Sequence, residues 1–414
     1  MPRDSADHWG LGSQTRRGVE IETEQLVAIA MGVLDSAVPF CFFFNIDVPE
    51  FYAATLVLKV GIAFFAGAAN WALLPYNAYF LITLCFGVFI SPFTGLGFSP
   101  TSGVQFLGFV GHLMVTTCAL RPQRYPTYFR VFAGVILAST VLFLVEWRQG
   151  HLTELFGRYM YFNDAQPNLG GEIAVAGMAA ACLSGGPVYM VAYTLLSLFA
   201  SYLLESRAAM LAGTGIFFVF LYFRIFAHRS PWIKAALVLL AIAVIGLILY
   251  DSASFLTSDV LMLDDENRGL GTGIVGRQDV WLLALQDFLR YPLFGVGYDY
   301  YHVFRPDDSP HGLFFNVISQ LGLVGVLFLV FVGARIVATW RTSPPVALIM
   351  LMLLFLGLFS DRFLNINPFP FILFVLLFLA ASSWQSAAEM NDRRPSLIVK
   401  RRSAVDAPKT APRA

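Results

Sequence analysis

Long apolar runs joined by short polar connections dominate the chain, and most are close to the roughly 20 residues an α-helix needs to cross a bilayer. The pattern predicts helices over 25–45, 51–69, 71–90, 103–120, 128–146, 169–184, 187–204, 208–226, 232–250, 312–336, 345–359 and 364–383. The run 169–184 is the least hydrophobic. Its alanines and glycines suit close packing against other helices better than contact with lipid.

Charge orders these segments. Cytoplasmic loops carry an excess of Lys and Arg, and alternate connections here are basic and free of acid. They are RPQRYPTYFR, FRIFAHRSPWIK and the segment holding Arg335 and Arg341. The opposite connections hold Asp47 and Glu50, Glu146 and Glu154, and then the stretch 251–311. An even number of spans keeps this alternation. The expectation is therefore about twelve transmembrane helices in one all-α bundle, with both termini in the cytoplasm. Residues 1–24 form a cytoplasmic N-terminal segment, 25–250 hold the first nine helices, 312–384 the last three, and 385–414 a disordered cytoplasmic tail. The N-terminal residues lack the basic, apolar and small-residue succession of a cleaved signal peptide.

The connection 251–311 is far longer than the usual link between helices, which marks it as functional or independently folded. It opens with Asp264, Asp265 and Glu266 and continues through the Gly-rich RGLGTGIVGR. A helix is predicted from about Arg277 to Arg290, with Val280, Trp281, Ala284, Leu285 and Phe288 at helical spacing. Gln278, Asp279, Gln286 and Asp287 are expected elsewhere on its surface. An amphipathic helix with a tryptophan, flanked by spans, is expected to lie in the outer membrane–water interface.

Composition strengthens the membrane reading: 57% of residues are hydrophobic, 13% charged, and the mean hydropathy is +0.67. Soluble domains carry roughly 25% charged residues. Cys41, Cys85, Cys118 and Cys182 all fall in apolar runs, without disulfide or metal-site spacing. The acids Asp264–Glu266 and Asp307–Asp308 read first as a solvated face, with a cation site as the alternative. RGLGTGIVG lacks the βαβ setting of a dinucleotide fingerprint. No metal, cofactor or nucleic-acid partner is expected.

Three polar residues fall at the outer edge of the predicted bundle. Arg207 lies where two spans meet, Arg277 opens the amphipathic helix, and His311 directly precedes a span. A guanidinium forks onto phosphate or carboxylate oxygens, and a histidine can take a proton from an attacking hydroxyl. Each also has a structural alternative. Arg207 can pair with Glu205, cap a helix or anchor topology; Arg277 can pair with Asp279 or Asp265; His311 can be a simple helix-start residue. Lys59 is the main ionisable side chain expected deep within a span, and a lipid-linked sugar transporter is the competing functional class.

Taken in order, Ser206–Arg207, GRQDVW (Gly276–Trp281), YPLFGVGYDYY and HGLFFNVISQLGLVG (His311–Gly325) resemble the O-antigen ligase and polysaccharide polymerase superfamily of bacterial envelopes. The similarity runs through roughly the second half of the chain. One departure is Gly312, where family members commonly carry Asn. The resemblance implies a GT-C-like, metal-independent inverting glycosyltransferase of the inner membrane, with its site facing the periplasm. Its donor would be a glycan on undecaprenyl diphosphate. Its acceptor would be another lipid-linked repeat unit (a polymerase, favoured by the run ENRGLGTGIVGR) or the lipid A core (a ligase). Arg207, Arg277 and His311 are the implied catalytic residues, with Arg268 and Trp281 joining the arginines in substrate binding. Membrane lipids are expected partners, and contact with a flippase and a chain-length regulator is a further expectation.

Overall fold

The structure is a computed structural model that describes residues 11–67, 82–83, 85–90, 100–155, 158–162, 167–184, 186–223, 230, 232, 275–305, 310, 312–358 and 371–377. Those residues are mostly helical. In chain order the helices are α1 (Leu11–Ser36), α2 (Val38–Phe44), α3 (Val48–Phe65), α4 (Pro100–Ala119), α5 (Tyr125–Gln149), α6 (Pro167–Ser184), α7 (Pro187–Leu203) and α8 (Arg207–Leu221). Then come α9 (Val275–Arg290), α10 (Tyr300–Phe304), α11 (Leu313–Thr342) and α12 (Pro344–Gly357). A two-residue antiparallel pair, β1 (Glu154–Leu155) and β2 (Arg158–Tyr159), sits between α5 and α6. Helices α2, α3, α5, α7 and α12 carry proline in their first turn, where the missing N–H costs no helical hydrogen bond. Gly150, at φ 73, closes α5 in the left-handed region.

Four helices are long and apolar enough to cross a membrane: Val48–Phe65, Ser102–Ala119, Tyr125–Gln149 and Leu313–Thr342. The pair Glu22–Ser36 and Val38–Phe44, bent by 49°, makes a fifth if taken as one broken span. Shorter apolar helices cover Val188–Leu203, Arg207–Leu221 and Pro344–Gly357. The chain is thus an all-α, multi-pass membrane protein. Of the twelve expected segments, 232–250 lies outside the described residues, and 71–90 and 364–383 lie within them only in part.

The Ala- and Gly-rich helix α6 is the most enclosed of the described helices. Every residue of α6 except Asn168 and Leu183 is buried, and small residues make that possible. A Cβ on Gly171 would lie 2.5 Å from Ser206 Oγ, and one on Gly177 would lie 1.7 Å from the Tyr193 hydroxyl. With no side chain at these points, α7 and α8 approach the α6 backbone directly.

Charges collect at the two ends of this bundle. At one end Arg121 pairs with Glu24, and Arg124 lies 3.6 Å from the same carboxylate. At the opposite end of α5, Glu146 meets His151 at 3.0 Å.

Inside the bundle a polar cluster ties four helices together. Lys59 of α3, fully buried, pairs with Asp35 of α1 and donates to the His112 carbonyl of α4 at 3.1 Å. Asp35 also accepts from Thr116 of α4 at 2.8 Å and from the Tyr128 hydroxyl of α5 at 3.0 Å. His112 Nδ1 faces Lys59 Nζ at 3.2 Å and Nε2 faces the Tyr52 carbonyl at 3.0 Å, which assigns the ring proton to Nε2. Lys59 was expected to be the main deep ionisable group. Asp35 and His112 are buried with it, because its charge needs a counter-charge and acceptors once water is excluded.

Candidate functional site

The segment after α9 is docked on α11 through its backbone. Pro292 O accepts from Leu323 N at 2.7 Å, Val296 N donates to Ser319 O at 2.9 Å, and Gly297 N donates to Gln320 O at 3.2 Å. Glycine is required on both sides. Gly295 has φ +72, and a Cβ there would lie 2.3 Å from the Gln320 carbonyl carbon. Gly322 has φ +60, and a Cβ there would lie 2.6 Å from Pro292 O. The glycine-marked ends of the runs YPLFGVG and HGLFFNVISQLGLVG are therefore the two halves of one contact.

That contact breaks the helix. Gly322, at φ 60 and ψ −139, is not helical. A Cβ on Gly325 would lie 2.2 Å from the Val317 carbonyl oxygen, whereas a straight helix would separate the two levels by about 12 Å. The span expected to run unbroken over 312–336 is corrected here. A short helix ends at Leu321, and a second continues to Thr342.

Helix α9 lies beside that short first part. The Trp281 ring stacks on Phe315 with centroids 5.0 Å apart and planes 14° apart. Further along both chains comes the Pro292–Leu323 hydrogen bond. The two segments thus advance in the same direction, with their N-termini at the same end. The inward face of α9 carries buried Ala284 and Asp287, whereas Leu282, Leu285 and Leu289 are exposed. Asp287, expected among the outer polar positions, instead accepts from the Tyr301 hydroxyl of α10 at 2.7 Å. Burial raises the Tyr301 phenol well above its ordinary range, so it stays protonated as the donor.

A chain of hydrogen bonds runs beneath the stack. Ser102 of α4 donates to the Asp299 carboxylate. Asp299 N donates to Gln320 Oε1 at 2.8 Å, and Gln320 Nε2 donates to Asn316 Oδ1 at 3.1 Å. Asn316 Nδ2 and Trp281 Nε1 are buried with no hydrogen-bond partner among the described residues.

Arg207 belongs to a different helix. It opens α8, half-buried, after a turn in which Glu205 has φ 49. Arg158 of β2 braces that turn: its Nη2 donates to Leu204 O at 2.7 Å, Glu205 O at 3.3 Å and Asn168 Oδ1 at 3.0 Å. Its Nε lies 3.8 Å from the Glu205 carboxylate.

Among the residues expected from sequence, Trp281 sits at the crossing of α9 and α11, and Arg207 at the start of α8. Arg277 belongs to the first turn of α9, one turn before Trp281. Arg268 and His311 lie outside the described residues. Sequence reasoning passed over Arg158, Asp299, Asn316 and Gln320. Asn316 and Gln320 did leave a signal, two amides one turn apart in an otherwise apolar run. Arg158 left none, because the Leu204 and Glu205 carbonyls, the Glu205 carboxylate and the Asn168 amide meet it only once the chain is folded.

Among the described residues, no cluster of three or more His, Cys, Asp or Glu is placed to hold a metal ion. A search of curated proteins finds no match. A family model described as O-antigen ligase matches residues 192–330, about a third of the chain. The matched stretch begins within α7, includes Arg207, α9 and the docked glycine loop, and ends within α11. Over residues 192–330 this match supports the resemblance to the O-antigen ligase and polysaccharide polymerase superfamily that the order of the motifs carries.

Proposed function

We propose that the protein is an inverting glycosyltransferase of the bacterial inner membrane, using a glycan on undecaprenyl diphosphate as donor at its periplasmic face. The fold would be a GT-C-like bundle of about twelve spans, with 251–311 as the periplasmic loop. The observation that carries the reading is the side-by-side, same-direction packing of α9 and the first part of α11 within the segment matched by the family model. Arg277 stands one turn before Trp281 on one helix, and His311 precedes Gly312 at the start of the other. The exposed leucines of α9 support a helix lying against lipid.

In this mechanism an acceptor hydroxyl attacks the anomeric carbon from the face opposite the diphosphate. The new C–O bond forms as the bond to the diphosphate oxygen breaks, and the leaving group keeps that electron pair. His311 takes the hydroxyl proton. Arg207, Arg277 and Arg268 hold the diphosphate, their planar forks matching its oxygens. With arginines neutralising the leaving group, no metal is needed, and activity is expected to survive EDTA.

A polymerase, adding the glycan to another lipid-linked repeat unit, is our first reading. A ligase acting on the lipid A core is the second, and a family model described as O-antigen ligase supports it equally. The test is glycan product per mole of folded protein for Arg207→Ala, Arg277→Lys and His311→Ala. Loss of one electrostatic stabiliser is expected to cost about 10²–10³ in rate, and loss of the base about 10²–10⁴. Near-wild-type turnover in all three variants would overturn the assignment.

A further inference from the structure

The unpartnered donor of Asn316 has a fixed identity. Asp299 N–H can only donate, so the end of the Gln320 amide that meets it at 2.8 Å must be the oxygen. The NH₂ end of Gln320 is then the group that meets Asn316 at 3.1 Å, and the Asn316 atom receiving it must be its oxygen. The Asn316 NH₂ is therefore left over by the network itself. Asn316 is only 6% exposed, and this NH₂ has no partner among the described residues. A buried donor without a partner is uncommon in folded proteins and costly to maintain.

A second such donor stands on the facing element. Trp281 Nε1 is buried and also lacks a partner among the described residues. Its ring is stacked on Phe315, the neighbour of Asn316 in the chain. The stack occupies one face of the indole and fixes its plane, leaving the N–H edge to act. Two neutral N–H donors thus stand without partners among the described residues, one on each of two helices packed together.

We propose that Asn316 Nδ2 and Trp281 Nε1 bind a neutral oxygen, a hydroxyl or an acetamido carbonyl, of the first sugar of the lipid-linked donor. The inference rests on the donor reading above. Neutral donors suit a sugar oxygen, whereas a phosphate calls for the guanidinium groups. Arg277 precedes Trp281 by one helical turn, about 6 Å along the axis. A diphosphate held at the arginine level would leave its attached sugar ring near the level of the stack. Asn316 then reads the sugar and leaves the diphosphate to the arginines.

The full chain in lipid nanodiscs separates these roles with two probes, undecaprenyl diphosphate and undecaprenyl diphosphate bearing one N-acetylglucosamine. The wild type should bind the sugar-bearing lipid more tightly. Asn316→Leu should weaken that binding roughly ten-fold and leave the bare lipid's affinity within about two-fold, which also shows that the variant is folded. Trp281→Phe, which keeps an aromatic ring against Phe315 and loses the N–H, should show the same selective loss. A sugar that adds no affinity in the wild type, or an Asn316→Leu variant that keeps it or loses both lipids equally, would overturn the inference alone. Failure of the wild type to bind either lipid would overturn the donor reading itself.

Discussion

At the scale of single residues, two kinds of buried group matter, and they behave oppositely. In the α1–α3–α4–α5 cluster, Lys59, Asp35 and His112 each have named partners. That completeness reads as a strut fixing helix register, rather than the half-filled site expected of a carrier. Lys59→Met should therefore destabilise the protein by about 3–5 kcal/mol by stranding Asp35. The double variant Asp35→Asn/Lys59→Met should recover much of that loss in a thermal melt in detergent. A double variant as unstable as the single one would argue against the strut. The Lys59 charge was visible in sequence; its partners were not, because Asp35 and His112 lie 24 and 53 positions away. Asn316 shows the converse limit. Sequence reveals an amide in an apolar run, but only the hydrogen-bond chain through Gln320 and Asp299 shows which end of it is unused.

At the scale of elements, the sequence spoke most clearly where periodicity and hydropathy agree. The predicted helices 103–120, 128–146, 169–184 and 187–204 fall within a few residues of α4, α5, α6 and α7. It spoke less clearly where backbone conformation decides. The apolar run 312–336 has no polar interruption at Gly322, so hydropathy carries it across a break that only a left-handed φ and the docked Pro292–Gly297 segment create. The inward Asp287 of α9 escaped for a related reason. An acid on an amphipathic helix reads as outer surface until Tyr301 arrives from a later segment to meet it. The glycine contact yields a direct test. Gly295→Ala places a methyl group against the Gln320 backbone at a positive φ, which should cost about 1–3 kcal/mol and abolish most transfer activity. Gly134→Ala in α5, where a Cβ would meet nothing within 4 Å, should leave both activity and melting temperature unchanged. Equal behaviour of the two variants would show that docking of the loop on α11 is not needed for function.

At the scale of the whole molecule, opposite charges from distant segments meet near the helix ends. Glu24 meets Arg121 and Arg124 at one end of the bundle, and Arg158 meets Glu205 near the start of α8. The proposed orientation predicts that a cysteine at Ser309 is labelled by a membrane-impermeant thiol reagent in spheroplasts, whereas one at Thr127 is not. Labelling of Thr127→Cys alone would invert the topology. The family resemblance was legible because the motifs that carry it are short, ordered and glycine-marked. The acceptor was not, since polymerase and ligase share the donor and the leaving group and differ only in which hydroxyl attacks. The most direct measurement is therefore incubation of the purified wild-type protein with a lipid-linked repeat unit, with and without lipid A core, followed by analysis of products. The expected products are undecaprenyl diphosphate and a glycan joined through an inverted anomeric linkage, with longer lipid-linked chains when no lipid A core is present. Absence of undecaprenyl diphosphate release with either acceptor, or retention of anomeric configuration in the product, would contradict the proposed function.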